Sequence, residues 1–250
     1  MKKITTEHWW FKARTNIISE VLNLIIKDNY CNPSQPMNHQ THKNKILDVG
    51  SGEGQLFPIL QKFGKVYGVE KNKASFDLSK ISYPYATIWN ETFPDNNSLK
   101  IKFKLICLCD VLEHVPDVKL ILDEIIIRLA RGGYLLITVP SGSYTKTDID
   151  MGHHKRYSRK GLVKELEQYN LKGIYSSYFM FILYPVAIFI RKIVSPLLIN
   201  KNKNNSDLEY GKRGFINKFL YLIFKFETLL LRKKVILPYG LSIIGVFKKI

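Results

Sequence analysis

Two acids and three glycines stand where a small ligand could be anchored. The run Ile46-Leu47-Asp48-Val49-Gly50-Ser51-Gly52-Glu53-Gly54 puts glycine at every second position after a short apolar, partly β-branched segment. Such a segment reads as a buried strand. Glycines that follow it permit a tight turn and let the backbone approach a ligand closely. Asp48 falls just before the turn, and Glu70 follows the next apolar segment, Lys65–Val69, twenty residues after Gly50. An acid at that second position can accept from both hydroxyls of a ribose. Another set of reactive side chains lies downstream, where Asp148, His153, His154, Arg156 and Tyr157 share the polar stretch Ser141–Ser158. An imidazole there could take a proton from an acceptor hydroxyl, with His153 the first candidate and His154 the second. Arg156 and Tyr157 are candidates for holding the acceptor.

The spacing of the glycines separates close rivals. A dinucleotide fingerprint needs G-x-G-x-x-G, but position 55 is Gln, and no Gly-Lys-Ser/Thr follows to make a phosphate-binding P-loop. A carboxylate at Asp48 suits a cationic ligand group better than a pyrophosphate. A ligand with an adenosine ribose, an ammonium group and no phosphate fits both acids, and S-adenosylmethionine is such a ligand. Its expected contacts are Asp48, Gly50, Ser51, Gly52, Gly54 and Glu70.

The elements that must position these groups follow from periodicity. Gln55–Phe63 reads as a helix with Leu56, Ile59, Leu60 and Phe63 on one face, and residues 74–80 as a second short helix. Ala86–Trp89 reads as a third strand. A fourth ends at Asp110, so Asp110, Glu113 and His114 should border the ligand crevice at the strand ends. Asp110 is a candidate both for cofactor binding and for catalysis. His114 can serve as a cofactor contact or merely bond backbone. Asp117 reads as the cap of a helix running to Arg131, and Ser158 as the cap of a helix over 159–170. Upstream, His8–Lys27 has a helical apolar period with an aromatic front edge, and Tyr30–Asn44 reads as a loop.

Several of these stretches resemble class I S-adenosylmethionine-dependent methyltransferases. Ile106–Val115 reads I-C-L-C-D-V-L-E-H-V, like the family's fourth strand and its ending, and Arg131–Pro140 reads R-G-G-Y-L-L-I-T-V-P, like its glycine turn and fifth strand. Within the superfamily the chain is most similar to a bacterial subgroup with an N-terminal H-W-W-F-x-x-R, here His8–Arg14, and a later G-H-x-x-R-Y-S, here Gly152–Ser158. The resemblance implies an α/β, Rossmann-like fold: a seven-stranded, mostly parallel sheet with helices on both faces. It also suggests that the first helix is a lid over the cofactor, where Arg14 could contact the cofactor or an acid nearby. A helix packed on the core with its aromatics as fillers is the alternative, and Trp9 and Arg14 are candidates for substrate binding. The family often has an acid after the third strand that accepts from the adenine amino group. Asn90 falls there, with Glu91 the alternative.

On this reading residues 1–45 form the lid helix and loop, 46–177 the cofactor-binding core and 241–250 the last strand, with Leu241–Phe247 as its center. Between Gly173–Ser177, the expected sixth strand, and that last strand lie about sixty residues, and 178–240 read as an apolar, basic helical insertion. Tyr178–Ile190 carries no charge, residues 200–206 are rich in Asn and Lys, and Phe215–Leu231 is an apolar helix followed by Arg232-Lys233-Lys234. Tyr178–Ile190 is too short and too broken for a membrane span, but apolar helices edged by Lys and Arg match an anchor lying in a membrane interface. A helical layer packed on the sheet is the alternative.

The net charge of +17 is uneven: residues 1–150 hold 19 Lys/Arg against 16 Asp/Glu, and residues 151–250 hold 19 against 5. An anionic partner at the C-terminal part follows, and a membrane surface fits better than nucleic acid because the basic residues alternate with long apolar runs. Cys31, Cys107 and Cys109 lack metal-ligand spacing, so no metal is assigned, and reduced thiols in a cytoplasmic protein are expected. Nothing in the N-terminal residues has the pattern of a signal peptide. The expected protein is a methyltransferase that O-methylates a lipid-linked or cell-surface glycan, or a related small acceptor, from the inner face of a membrane. An RNA methyltransferase and a non-catalytic cofactor-binding partner of a membrane enzyme are the rivals.

Overall fold

The computed structural model describes residues 9–24, 44–94, 101–185 and 214–250. Most of the expected loop over 30–44, Cys31, and the Asn/Lys-rich stretch at 200–206 lie outside the described residues.

Seven strands form one sheet. They are β1 (Lys45–Val49), β2 (Lys65–Val69), β3 (Thr87–Trp89), β4 (Phe103–Cys109), β5 (Leu129–Pro140), β6 (Leu171–Phe179) and β7 (Ser242–Lys249). Their order is β3-β2-β1-β4-β5-β7-β6, and β7 alone runs antiparallel to its neighbors. The Rossmann-like architecture expected from the sequence is therefore present, with the reversal of strand order between β1 and β4 marking the ligand crevice.

The period-2 alternation of the central strands supplies two cores. Ile46, Val66, Leu105, Cys107 and Leu136 point to one face, where they meet helix α1 (Trp9–Leu22) through Ile17, Ile18, Val21 and Leu22. Helix α2 (Phe57–Leu60) packs on the same face through Phe57 and Leu60. Leu47, Val49, Val69, Ile106, Leu108, Leu135 and Ile137 point to the other face. There they meet α4 (Val118–Arg128) through Ile121, Leu122 and Ile125, and α6 (Arg159–Glu167) through Leu162 and Leu166. Two short helices, α3 (Lys73–Ser82) and α5 (Lys146–Asp150), complete the part before β6. Strands buried on both faces are near-continuously apolar, as parallel sheets require.

Several boundaries differ from the sequence expectation for local reasons. The helix expected over 55–63 is regular only over Phe57–Leu60, and Lys62 and Phe63 reach back three residues, to Ile59 and Leu60, in tighter turns. The helix expected to reach Arg131 stops at Arg128, because Leu129 is already extended and pairs with Phe103 in the sheet. The caps are as expected: Asp117 accepts from Lys119 N–H and Ser158 from Gly161 N–H.

Helix α7 (Gly214–Arg232) lies against α1. The Trp9 and Phe224 rings are 5.2 Å apart, Asn16 Nδ2 donates to Tyr221 Oη at 2.9 Å, and Arg232 reaches Glu20 at 3.7 Å. Its inner face carries Phe224, Glu227 and Leu231, all fully buried, and Glu227 accepts from Phe181 N–H at 3.0 Å. Its outer face leaves Leu222, Phe226 and Leu229 exposed. The helix thus packs inward while presenting an apolar stripe outward.

Candidate active site

The glycine turn is built as its spacing requires. Gly50, Gly52 and Gly54 all have positive φ, at 68°, 55° and 79°. At Gly50 a Cβ would stand 2.8 Å from Val111 Cγ2, so the turn and the segment after β4 pack directly. At Gly52 a Cβ would meet nothing within 4 Å, so this turn offers bare backbone to open space. Glu70, buried at the end of β2, accepts from Gly52 N–H at 2.8 Å and from Asn72 N–H at 2.7 Å. Its carboxylate therefore sets the shape of the turn and stands at its edge. Ser51 is buried, with no hydrogen-bond partner for Oγ among the described residues.

Asp48 is 2 % exposed, on the face of β1 that α1 covers. Burial pushes its carboxyl up to about 7, with Glu70 adding to the rise and Arg14 opposing it. A buried acid poised in this way is a ready partner for a cation. Asn90 holds its side-chain amide by donating to Glu70 O at 2.8 Å and Lys71 O at 3.1 Å. Both amide hydrogens are thereby used, and no donor reaches Oδ1 among the described residues, which leaves Oδ1 to accept from a ligand. An adenosine ligand with a cationic tail fits this set: open backbone at Gly52, two acids flanking the turn, and a fixed acceptor at Asn90.

Arg14 bridges α1 to the strand ends. It pairs with Asp110 Oδ2 at 2.8 Å and donates to Thr138 Oγ1 at 3.4 Å, and Thr138 Oγ1 donates to Asp110 Oδ1 at 2.9 Å. Burial is the largest single effect and works against its charge, but Asp110, Cys109, Asp48 and Glu113 together overcome it and hold the guanidinium above its ordinary value. Asp110 itself has φ 58°, an uncommon conformation for a non-glycine residue. Both residues are thus engaged with each other, and Trp9 is packed on Trp10 and Phe224. Thr138, which ties Asp110 to Arg14, carried no signal in the sequence beyond its place in an apolar strand.

The loop after β5 folds into a second cluster. Asp148, fully buried, accepts from His153 Nδ1 at 2.9 Å, Arg156 Nε at 2.7 Å, Thr145 N–H at 2.7 Å and Thr145 Oγ1 at 2.8 Å. Burial alone would raise this carboxyl, but the hydrogen bonds from His153, Thr145 and Arg156 overcome it and bring it to about 2. Arg156 also donates to Ser141 O at 2.7 Å. His153 is 7 % exposed, and its ring meets the His114 ring edge-on at 4.7 Å. His114 Nδ1 lies 3.2 Å from Gly152 O, so the backbone contact foreseen for it is made. Glu113 is 1 % exposed, and burial, with help from Asp110, pushes its carboxyl up to about 8. His154 joins this cluster only through its backbone, donating to Glu113 O at 2.6 Å, and its side chain is exposed.

Beyond the cluster lies a cavity of about 420 Å³ lined by Ser141, Arg156, Tyr157, Tyr178, Tyr184 and Tyr239, among others. Tyr157 is mostly core, 5 % exposed, with Lys155 Nζ 4.6 Å from its ring centroid and its hydroxyl unpartnered among the described residues. The three tyrosines at 178, 184 and 239 were not singled out by sequence. The only signal was Pro238-Tyr239-Gly240 before β7, where Gly240 O accepts from Ser141 Oγ.

The sheet order and the glycine-turn site define a class I methyltransferase architecture, and the comparisons agree. The chain belongs to the methyltransferase domain family, whose model matches residues 37–176, and it is an S-adenosylmethionine-dependent methyltransferase. No curated protein matches the sequence. Among solved structures it is similar to the N-methyltransferase NodS from Bradyrhizobium japonicum WM9 in complex with S-adenosyl-L-homocysteine. That match has TM-score 0.55 and 10 % identity over 96 % of this chain and 87 % of that one. It is also similar to a protein assigned as a sarcosine dimethylglycine methyltransferase from Galdieria sulphuraria, with TM-score 0.53 and 14 % identity over 84 % and 79 % of the two chains. At these identities the likeness is one of fold.

Proposed function

We propose that this methyltransferase transfers a methyl group to a hydroxyl of a small, lipid-linked or cell-surface glycan acceptor at the inner face of a membrane. The observation that carries the reading is the double engagement of Arg156. Its Nε holds Asp148, which also holds His153, while the same side chain lines the tyrosine cavity. An acceptor lying on the tyrosine rings would meet Arg156, which on its other side holds Asp148 and, through Asp148, His153, the candidate base for a hydroxyl. Flat aromatic walls with one arginine suit a sugar ring, whose apolar face packs on the rings while its hydroxyls meet polar groups.

When bound, S-adenosylmethionine supplies a methyl group on a sulfonium center. In this reading the chain's residues bind, orient and exclude water. The Gly50–Gly54 backbone would receive the cofactor, with Asp48 holding its ammonium end, Glu70 the ribose and Asn90 Oδ1 the adenine amino group. Asp110 and His114 border the reacting end. Alignment and exclusion of water account for most of the acceleration in such a transfer.

Membrane attachment is supported by the outer face of α7. Leu222, Phe226 and Leu229 recur at helical spacing and are exposed, with Lys225, Arg232, Lys233 and Lys234 exposed beside them. Val235, Ile236 and Tyr239 extend the exposed apolar surface, and Tyr239 also lines the cavity, so the apolar face leads to the acceptor pocket. No helix among the described residues is long and apolar enough to cross a membrane, so the attachment would be peripheral. Transfer of labeled methyl into whole-cell lipid, glycan and RNA fractions tests the reading. Label in the lipid-linked glycan fraction is expected, and label confined to RNA would replace it with the nucleic-acid alternative.

A further inference from the structure

Three side chains outside the glycine turn converge after β4 and β5, and one of them, Glu113, has no part in the reading above. Glu113 and His114 sit on the single 3₁₀ turn Leu112–His114 just after β4, and His153 sits in the loop after α5. One potential ligand atom from each lies within 4.8 Å of those of the other two. The groups that would orient the two imidazoles are already in place. His153 Nδ1 faces the Asp148 carboxylate at 2.9 Å, and His114 Nδ1 faces the Gly152 carbonyl at 3.2 Å. Neither acceptor carries a proton to give, so Nδ1 is the donor in each ring, and Nε2 is the nitrogen left to bind a cation. Carboxylate and carbonyl partners behind Nδ1 are the arrangement that fixes histidine ligands toward a metal.

The third member points the same way. Glu113 is 1 % exposed, yet its Oε2 has no hydrogen-bond partner among the described residues. A buried carboxyl in this position either keeps its proton or, once ionized, needs a cation to meet it. Backbone hydrogen bonds pin the trio: His154 N–H donates to Glu113 O at 2.6 Å, His153 N–H to Asp148 O at 2.8 Å, and Tyr144 Oη to His153 O at 2.6 Å. Adjacent ligands on one ion with bonds of about 2.1 Å stand roughly 3 Å apart, so side-chain movements of an ångström or two would gather the three atoms.

We propose that Glu113, His114 and His153 form a site for one divalent first-row transition-metal cation, bound through two imidazole nitrogens and one carboxylate oxygen. Three protein ligands leave coordination positions open, and the exposed side of His114 gives access to them. The donor set of two nitrogens and one oxygen favors Mn²⁺, Fe²⁺, Co²⁺ or Zn²⁺ over Mg²⁺, which prefers oxygen and retained water. The role of the site rests on the proposed acceptor hydroxylation state being a free hydroxyl. An oxygen bound at an open position would be oriented and made more acidic. With the cation bound, His153 is a ligand rather than a free base.

Titration of the chelator-treated full chain with Co²⁺ alone, followed by calorimetry and by visible absorption of the bound ion, tests the site. One equivalent per chain with nitrogen-ligand absorption is expected. Glu113→Gln and His114→Ala, the second at an exposed side chain that the fold does not need, should each weaken binding by at least about tenfold. A cooperative melting transition close to that of wild type in both variants, measured without metal, shows that they fold. Binding well below one equivalent, or equal affinity in wild type and His114→Ala, overturns the site. Failure of the acceptor reading is separate: stoichiometric Co²⁺ binding with label absent from every hydroxyl acceptor would leave the metal site standing and remove its role in O-methylation.

Discussion

Arg14 of α1 and Asp110 at the end of β4 are joined by a 2.8 Å ion pair, with Thr138 of β5 hydrogen-bonded to both. This one pair fastens the N-terminal helix to the strand ends that border the crevice. Arg14→Met should lower stability by about 1–3 kcal/mol, less than a fully buried pair because the Asp110 side chain is one-third exposed. Arg14→Met with Asp110→Asn should recover part of that loss, since no uncompensated carboxylate remains. Denaturant melts of the single and double variants measure both.

Gly52→Val should abolish S-adenosylmethionine binding, because its side chain would occupy the open space facing the turn and strain a backbone at φ 55°. Glu70→Ala should weaken binding by ~1–3 kcal/mol. It would remove the proposed ribose acceptor and free the Gly52 and Asn72 N–H groups that shape the turn. Unchanged calorimetric affinity in both variants would dismiss the site.

Asp48, as the proposed partner of the cofactor ammonium, should make cofactor binding pH-dependent. Its carboxyl is raised from 3.8 to about 7 in the fold. Between those values the folded chain holds a proton that the unfolded chain has lost, so stability falls as pH rises through that window. A ligand ammonium favors the carboxylate, so binding should release a proton and tighten as pH climbs from about 5.5 to 7.5, then level off. Asp48→Asn should bind more weakly at pH 8, lose this slope, and be more stable than wild type without ligand at that pH. Calorimetry in two buffers of different ionization enthalpy reads the released proton.

His153→Ala should reduce turnover by ~10²–10⁴-fold, the range for loss of a group that activates a hydroxyl. Cofactor affinity should stay nearly constant, since His153 belongs to the Asp148 cluster and not to the glycine turn. Loss of cofactor binding instead would move this residue to the cofactor side.

Replacing Leu222, Phe226 and Leu229 together by Ser should abolish sedimentation with anionic vesicles while leaving the melting transition in place, because all three are exposed. Wild-type binding should weaken with salt through Lys225, Arg232, Lys233 and Lys234. Equal recovery of wild type in the supernatant with and without vesicles at low salt would remove the membrane assignment.

The strand–glycine–helix unit was legible because its signals are local. The β-branched run, the alternating glycines and the acid at position 70 each act within a few residues. The caps Asp117 and Ser158 were legible for the same reason. The tyrosine cavity was not, since Tyr178, Tyr184 and Tyr239 meet only after β6 and β7 pair, and no local period marks them. Nor was the Glu113–His114–His153 convergence, which depends on a turn after β4 meeting a loop after β5. His153 and His154 are neighbors in sequence with opposite fates, one buried on Asp148 and the other exposed, and only the fold of that loop separates them.

The placement of β7 between β5 and β6 has a consequence for synthesis. When Pro140 emerges from the ribosome, β5 is an open edge, and it stays open until residues 242–249 arrive about a hundred residues later. An unpaired apolar strand edge is a template for wrong pairing during that interval. Strand β6 emerges earlier but cannot close the gap, because among the described residues it pairs with β7 alone. The nascent chain therefore carries an incomplete sheet through translation of the whole α7 region, and a premature stop before residue 242 would leave β6 detached rather than merely shorten the protein.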